Sequence, residues 1–115
     1  MSRSNQRRAR ASERIEEIRR RIAAVEHVCS GTLSRRMMTC GRPACRCAKE
    51  KAARHGPYFE WGRLVRGRLV HRWLSPDEAR RLAAAIKAYR EIRSLLRAWE
   101  RESVTLLEDP DEPKA

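Results

Sequence analysis

Residues 40–59 read CGRPACRCAKEKAARHGPYF. This stretch supplies three thiols and one imidazole within sixteen residues, from Cys40, Cys45, Cys47 and His55. Zinc prefers four thiolate or imidazole donors at the corners of a tetrahedron. The stretch therefore predicts a structural Zn²⁺ site with these four ligands, in a metal loop that spans residues 40–57.

Two glycine and proline pairs frame this loop. Gly41 and Pro43 lie between the first two thiols, where a sharp turn can aim backbone N–H groups at a sulfur. Gly56 and Pro57 follow His55 and are expected to end the loop where an aromatic strand begins.

The sequence also allows other uses of the thiols. The first residues, MSRSNQRR, contain no apolar signal segment, so we expect a cytoplasmic, reducing environment in which disulfides do not persist. An iron–sulfur cluster could recruit Cys29, His71 could replace His55 in the metal shell, and the cysteines could bind no metal. The complete set of nearby donors favours zinc over these alternatives.

The charge of the chain is concentrated in its middle. The net charge is +12, from 27 basic and 15 acidic residues, while residues 31–74 hold 11 basic and 2 acidic residues. Such an excess indicates a polyanionic partner. Ten side chains are predicted to contact the phosphates of a nucleic acid: Arg35, Arg36, Arg42, Arg46, Lys49, Lys51, Arg54, Arg63, Arg66 and Arg68.

Helical periodicity appears before the metal loop. An apolar residue recurs every three or four positions between Ile15 and Val25, after an N-cap candidate at Ser12, which predicts a helix over 12–28. Residues 1–11 are arginine-rich without an apolar period, so they are expected to form a disordered basic arm.

A second helix follows the loop region. Ser75 and Glu78 have the spacing of a capping box, and apolar residues recur from Leu82 to Trp99, which predicts a helix over 76–104. We expect the two helices to pack as an antiparallel, coiled-coil-like pair. Any apolar stripe left over would pair with a second protomer as a homodimer.

A β-hairpin is predicted between the loop and the second helix, over 58–74. Two aromatic and β-branched runs flank Arg66 and Gly67, which places Trp61 opposite Arg72. Both faces mix apolar and basic residues, so the pattern leaves open which face packs inward. The fold class is therefore α+β, with two long helices and a zinc-binding loop and β-hairpin between them. The predicted organisation is a basic arm over 1–11, one domain over 12–107 and an acidic, disordered tail over 108–115.

Three segments of this sequence resemble a small bacterial family of unknown function. They are CGRPACRC, HGPYFEW and RGRLVHRWLS, within a similarity that runs from Gly31 to about Trp99. The resemblance implies one metal-binding domain with a Gly-centred hairpin and a closing helix. Members are often encoded near transposases, which implies work on nucleic acid.

Two functions are consistent with these features. The first is a basic, zinc-binding accessory protein that binds nucleic acid, DNA in preference to RNA, through the phosphate backbone. The second is a helical dimerisation or docking adaptor for a partner such as a transposase or recombinase, with incidental charge. No enzyme activity is expected, because the sequence shows no catalytic triad, carboxylate pair or phosphate-binding loop. No apolar run reaches the length of a membrane span, so no membrane association is expected.

Overall fold

The computed structural model describes residues 2–108 and contains two helices and one antiparallel sheet. The elements in chain order are α1 (Arg3–Ala23), β1 (Thr32–Met38), β2 (His55–Val65), β3 (Arg68–Leu74) and α2 (Pro76–Leu107). Two short 3-10 helices, Arg46–Ala48 and Lys51–Ala53, lie in the loop between β1 and β2. These elements confirm the predicted α+β class.

The chain forms two compact units. We call Met1–His27 together with Ala88–Ala115 the helical unit, and Val28–Lys87 the sheet unit. The boundary between the units falls within α2. The acidic tail predicted over 108–115 lies outside the described residues from 109 onward.

The start of α1 corrects the predicted disordered arm. The helix begins at Arg3, and the Ser2 hydroxyl caps it by accepting a hydrogen bond from the Asn5 N–H at 3.2 Å. Arginine and alanine are strong helix formers, so this segment continues the helix without an apolar stripe of its own. Ser12 lies exposed in mid-helix and caps nothing. The prediction of disorder is wrong for residues 3–11.

The end of α1 was also predicted too late. The helix stops at Ala23, five residues before the expected end at residue 28. Beyond it, Val25 donates a backbone hydrogen bond to the Ile22 carbonyl at 3.1 Å. At Cys29 the backbone N–H donates instead to the carbonyl of Ala85 at 3.1 Å. The backbone hydrogen bonds of the chain thus pass from the last turn of α1, at Val25, to α2, at Cys29.

Two ion pairs join α1 and α2 within the helical unit. Arg14 contacts Glu102 at 3.3 Å, and Arg21 contacts Glu91 at 2.7 Å. The partner number falls as the α1 number rises, which confirms the predicted antiparallel pair. The apolar contribution is small, since Ala11, Ile18 and Leu95 are the buried hydrophobic residues of the described part of this unit.

The sheet unit has the strand order β1-β2-β3, and all neighbours are antiparallel. The hairpin register is the predicted one, with Trp61 opposite Arg72, and its turn has positive φ at both Arg66 (52°) and Gly67 (80°). Positive φ at both central residues is the type I′ geometry that suits a two-residue hairpin. β1 adds a third strand, in which Leu33 lies opposite Trp61.

One face of the sheet packs against the first turns of α2. Trp61, Leu82 and Ile86 form the buried cluster, with Cys29, Leu33 and Leu74 packed around it. The Trp61 indole also donates to the Ser30 carbonyl at 2.9 Å, so its one polar group is satisfied. The capping box begins α2 as predicted: the Ser75 hydroxyl accepts from the Glu78 N–H, and the Glu78 carboxylate accepts from the Ser75 N–H, each at 3.1 Å.

The opposite face of the sheet carries several exposed side chains. We call it the open face. Its side chains include Tyr58, Leu64, Leu69, His71 and Trp73, all of them exposed. Within residues 2–108, no helix is both long and apolar enough to cross a membrane.

Candidate metal centre

Strand pairing brings the ends of the metal loop together. β1 ends at Met38, two residues before Cys40, and Met38 lies opposite His55 at the start of β2. The loop between them turns at Arg42, whose carbonyl accepts from the Cys45 N–H at 3.1 Å. The sheet therefore holds the first and last predicted ligands side by side, and the turn carries the other two thiols back towards them.

The four predicted ligands converge. The donor atoms of Cys40, Cys45, Cys47 and His55 all lie within 4.8 Å of one another. The Sγ atoms of Cys40 and Cys47 are 3.6 Å apart, and Cys45 Sγ is 3.3 Å from His55 Nε2. Tetrahedral zinc with Zn–S bonds of about 2.3 Å requires sulfurs roughly 3.8 Å apart. The spacing thus fits a single zinc ion held by Cys₃His coordination.

The thiols differ in burial and acidity. Cys47 is 1% exposed, and the Cys40 N–H donates to its Sγ at 3.4 Å. This hydrogen bond lowers the pKa of Cys47, but burial and the neighbouring sulfurs raise it, and the net result is a raised pKa. Hydrogen bonds from the backbone and side chain of Cys47 and from the side chain of Cys40 lower the pKa of Cys45. Cys45 therefore loses its proton more readily than Cys47 does, and a bound zinc ion would deprotonate its thiol ligands outright.

Glycines at both ends of the loop meet backbone requirements. Gly41 has φ 79° and Gly56 has φ 132°, and residues other than glycine rarely adopt such positive φ values. A Cβ atom on Gly56 would lie 2.8 Å from the Arg36 carbonyl oxygen. The glycine beside His55 is thus required by the close approach of β1.

The alternative donors lie elsewhere. His71 is on the open face, where its Nδ1 is 3.1 Å from Glu60 Oε1, and Cys29 packs against the Trp61 core. Neither belongs to the cluster of metal-binding groups found among residues 2–108. The structure therefore favours His55 as the imidazole ligand and does not bring Cys29 to the site.

The predicted phosphate-contacting residues occupy more than one surface of the sheet unit. Arg42, Arg46, Lys49, Lys51 and Arg54 are exposed on the metal loop. On the sheet, Arg36 shares the open face, whereas the register places Arg35, Arg63 and Arg68 on the face that carries Trp61, and Arg66 is in the hairpin turn. The predicted set is therefore divided between the loop, the turn and two faces.

Some of these cations are already engaged. Arg36 contacts Glu60 at 3.6 Å, and Arg46 contacts Glu50 at 2.8 Å. The Arg63 guanidinium lies 4.0 Å from the Trp61 ring centroid, which makes an ordinary cation–π pair on the packed face.

Sequence reasoning missed a second basic feature, in the helical unit. Arg7, Arg10, Arg14 and Arg101 line a groove of about 290 Å³ together with Glu102 and Thr105. Its signal was the spacing of three and four between arginines 7, 10 and 14, which places them on one helix face. The expectation of disorder over residues 1–11 hid this pattern.

Comparison with known proteins identifies the family. The sequence model of the family described as "Domain of unknown function (DUF6788)" matches residues 8–84. The match covers α1 from Arg8 onward, the sheet, the metal loop and the start of α2, and the chain belongs to this family. No curated protein and no solved structure matches the chain significantly.

Proposed function

We propose that this DUF6788 protein is a small, zinc-stabilised accessory protein that binds nucleic acid, DNA in preference to RNA, mainly through phosphates. One observation carries the proposal: the excess of positive charge lies on the unit that is built around the metal centre. Residues 31–74 have 11 basic and 2 acidic residues. Both acidic residues, Glu50 and Glu60, already contact basic side chains.

Several of the loop cations are left without an acidic partner. Arg42, Lys49, Lys51 and Arg54 are exposed and form no ion pair among residues 2–108. Guanidinium groups bind phosphate bidentately, and phosphates are the sequence-independent part of any nucleic acid. Such contacts support affinity with little sequence preference.

The role proposed for zinc is structural. Four protein donors fill a tetrahedral shell, whereas a catalytic zinc keeps one position for water or substrate. Zinc held by Cys40, Cys45, Cys47 and His55 would tie together a loop whose regular structure is two short 3-10 helices. The proposal therefore includes no catalytic activity.

The cellular setting is part of the proposal. The resemblance to proteins encoded near transposases supports an accessory role beside DNA in mobile elements, in the cytoplasm. The exposed cations of the metal loop support the nucleic-acid part of this setting, since every nucleic acid presents a phosphate backbone.

A second candidate is a docking adaptor for a partner protein such as a transposase or recombinase. The exposed apolar residues favour it: Leu64 and Leu69 near the hairpin turn are 71% and 63% exposed, and Leu96 on α2 is 51% exposed. Contiguous exposed apolar surface is typical of interaction sites. A dimer through α2 belongs to this candidate.

Oligonucleotide binding over a salt series tests the first function. Replacing two loop cations, as in Arg42→Gln with Arg54→Gln, should weaken binding and reduce the slope of log Kd against log salt by about 2 for duplex DNA. The matched control, Arg90→Gln with Arg97→Gln, removes the same charge from exposed positions of α2 in the helical unit. Equal effects of the two pairs would show that binding follows net charge, and an unchanged Kd in the loop variant would refute the proposal.

A further inference from the structure

We propose that the nucleic acid bound by the sheet unit is single-stranded, with an unpaired base stacked on the Tyr58 and Trp73 rings. This inference rests on the proposed function and adds the strand state of the ligand to it.

The two rings form an exposed aromatic pair. The centroids of Tyr58 and Trp73 are 6.3 Å apart with an interplanar angle of 76°, and the residues are 46% and 53% exposed. By contrast, Trp61 on the opposite face is 8% exposed. The unit thus uses one tryptophan for its core and leaves another on the surface beside a tyrosine.

The pair borders a shallow apolar recess. Met38, Thr39, Tyr58 and Trp73 line a cavity of about 360 Å³. Met38 is itself 39% exposed, and a thioether makes favourable contacts with aromatic rings. The recess therefore offers a planar guest ring contacts with two aromatic groups and one sulfur.

Cations lie beside this recess. Arg36 is paired with Tyr58 in the sheet register and so shares the open face with it, where its guanidinium contacts Glu60, the residue opposite Trp73, at 3.6 Å. The recess ends at Thr39, next to Cys40 and three residues before Arg42. A base in the recess would place its phosphates within reach of β1 and the start of the metal loop.

Charge and stacking together specify the occupant. Aromatic side chains can stack only on bases whose faces are free, as they are in a single strand and not inside a duplex. A positively charged surface beside the stacking site tracks the phosphate backbone. An apolar protein partner would use the rings but not the cations, and a duplex would use the cations but not the rings.

The test compares a 12-nucleotide thymidine oligomer with a DNA hairpin duplex of equal charge, by fluorescence anisotropy at fixed salt. The wild type should bind the single strand more tightly than the duplex. Trp73→Leu should weaken single-strand binding roughly tenfold and leave duplex binding unchanged, since stacking is lost and phosphate contacts are kept. Tyr58→Leu should act in the same direction, and Leu69→Ala, on the same face near the hairpin turn, should bind as the wild type does.

The outcomes separate this inference from the function on which it rests. The inference would be overturned, and the function kept, if Trp73→Leu and Tyr58→Leu bind the single strand as tightly as the wild type does while the Arg42 and Arg54 double variant binds more weakly. Parallel loss of single-strand and duplex binding in Trp73→Leu would also overturn it. Sedimentation of the same proteins completes the test. If Trp73→Leu abolishes self-association without changing oligonucleotide binding, the open face would be assigned to a second copy of the chain, and the inference would be overturned. No salt-dependent binding by the wild type would refute the proposed function itself.

Discussion

The helical unit and the sheet unit are stabilised in different ways. In the helical unit, α1 and α2 lie antiparallel with two exposed ion pairs and three buried apolar residues. Exposed ion pairs contribute little, typically below about 1 kcal/mol. The sheet unit has a tryptophan-centred core and, at the end of its sheet, four converging metal donors. The difference teaches that the stability of the helical unit depends on the pairing of two helices with regularly spaced side chains. The stability of the sheet unit depends on a small core and on four donors that one metal ion can bind.

Removal of metal should produce the largest difference between the units. Incubation of the zinc-loaded protein with a chelator should strongly increase amide exchange in β1 and in the first half of β2, because the loop that joins them loses its ligand. Exchange in α1 should change much less. Hydrogen exchange with mass spectrometry measures both in one sample.

The control for that experiment is addition of zinc after the chelator is removed, which should restore protection. Equal loss of protection in α1 and the sheet would contradict the comparison, since it would make the whole chain dependent on the metal.

Truncation of a core side chain should have the next largest effect. Leu82→Ala in the sheet unit should lower the free energy of unfolding by about 3 kcal/mol, because Leu82 is 7% exposed and packs with Trp61. The matched change Leu96→Ala, at a residue of α2 in the helical unit that is 51% exposed, should cost less than about 0.5 kcal/mol. Urea denaturation measures both, and similar losses would show that Leu96 is buried in solution, as in a dimer.

A backbone test in the sheet unit should come third. Gly31 has φ 103°, and a Cβ there would meet the Gly62 carbonyl and lie 2.8 Å from Trp61 Nε1. Gly31→Ala should therefore cost about 2 kcal/mol or more. Gly67 also has positive φ (80°), but no atom lies near a Cβ placed there, so Gly67→Ala should lower the free energy of unfolding by less. If Gly31→Ala has a higher denaturation midpoint than Gly67→Ala, the prediction is contradicted, because the chain would have relieved the steric contact at residue 31.

The smallest expected effect concerns acid stability at the start of α2. Hydrogen bonds from the Ser75 backbone and hydroxyl, and then the Arg72 guanidinium, lower the pKa of Glu78. A lowered folded-state pKa adds stability above the ordinary glutamate pKa, and this stability is lost as the pH falls through the folded-state pKa. Wild type and Glu78→Gln, compared across this window in the same metal-free buffer, should converge in stability at the acidic end. A constant difference between them at all pH values would contradict the assignment.

The hairpin and the ligand set were predictable because both are local. A two-residue turn with alternating strands fixes the register from Val65 to Arg68 outward, and the structure has that register. The four donors lie within sixteen residues, so any compact loop brings them near one another. The choice of His55 over His71 needed the sheet, since pairing of Met38 with His55 places that imidazole at the site.

The packed face of the sheet was not predictable. Trp61 and Trp73 lie on opposite faces, and each face mixes apolar and basic residues. The path of α2 decides between them, because Leu82 and Ile86 pack on Trp61. That contact joins residues more than twenty positions apart, and no local pattern encodes it.

The start of α1 was mispredicted for a different reason. High charge without apolar periodicity was read as disorder, although arginine and alanine favour helix. A serine at position 12 then resembled an N-cap, while the capping serine is Ser2. Local propensity outweighed the absence of an apolar stripe.

The central claim is that Cys40, Cys45, Cys47 and His55 bind one zinc ion, and metal stoichiometry tests it most directly. Native mass spectrometry with elemental analysis of the full chain should give one zinc per chain, and Cys45→Ser should lose it while the Cys29→Ser control keeps it. Iron in place of zinc, or a folded wild-type sheet unit that contains no metal, would contradict the account.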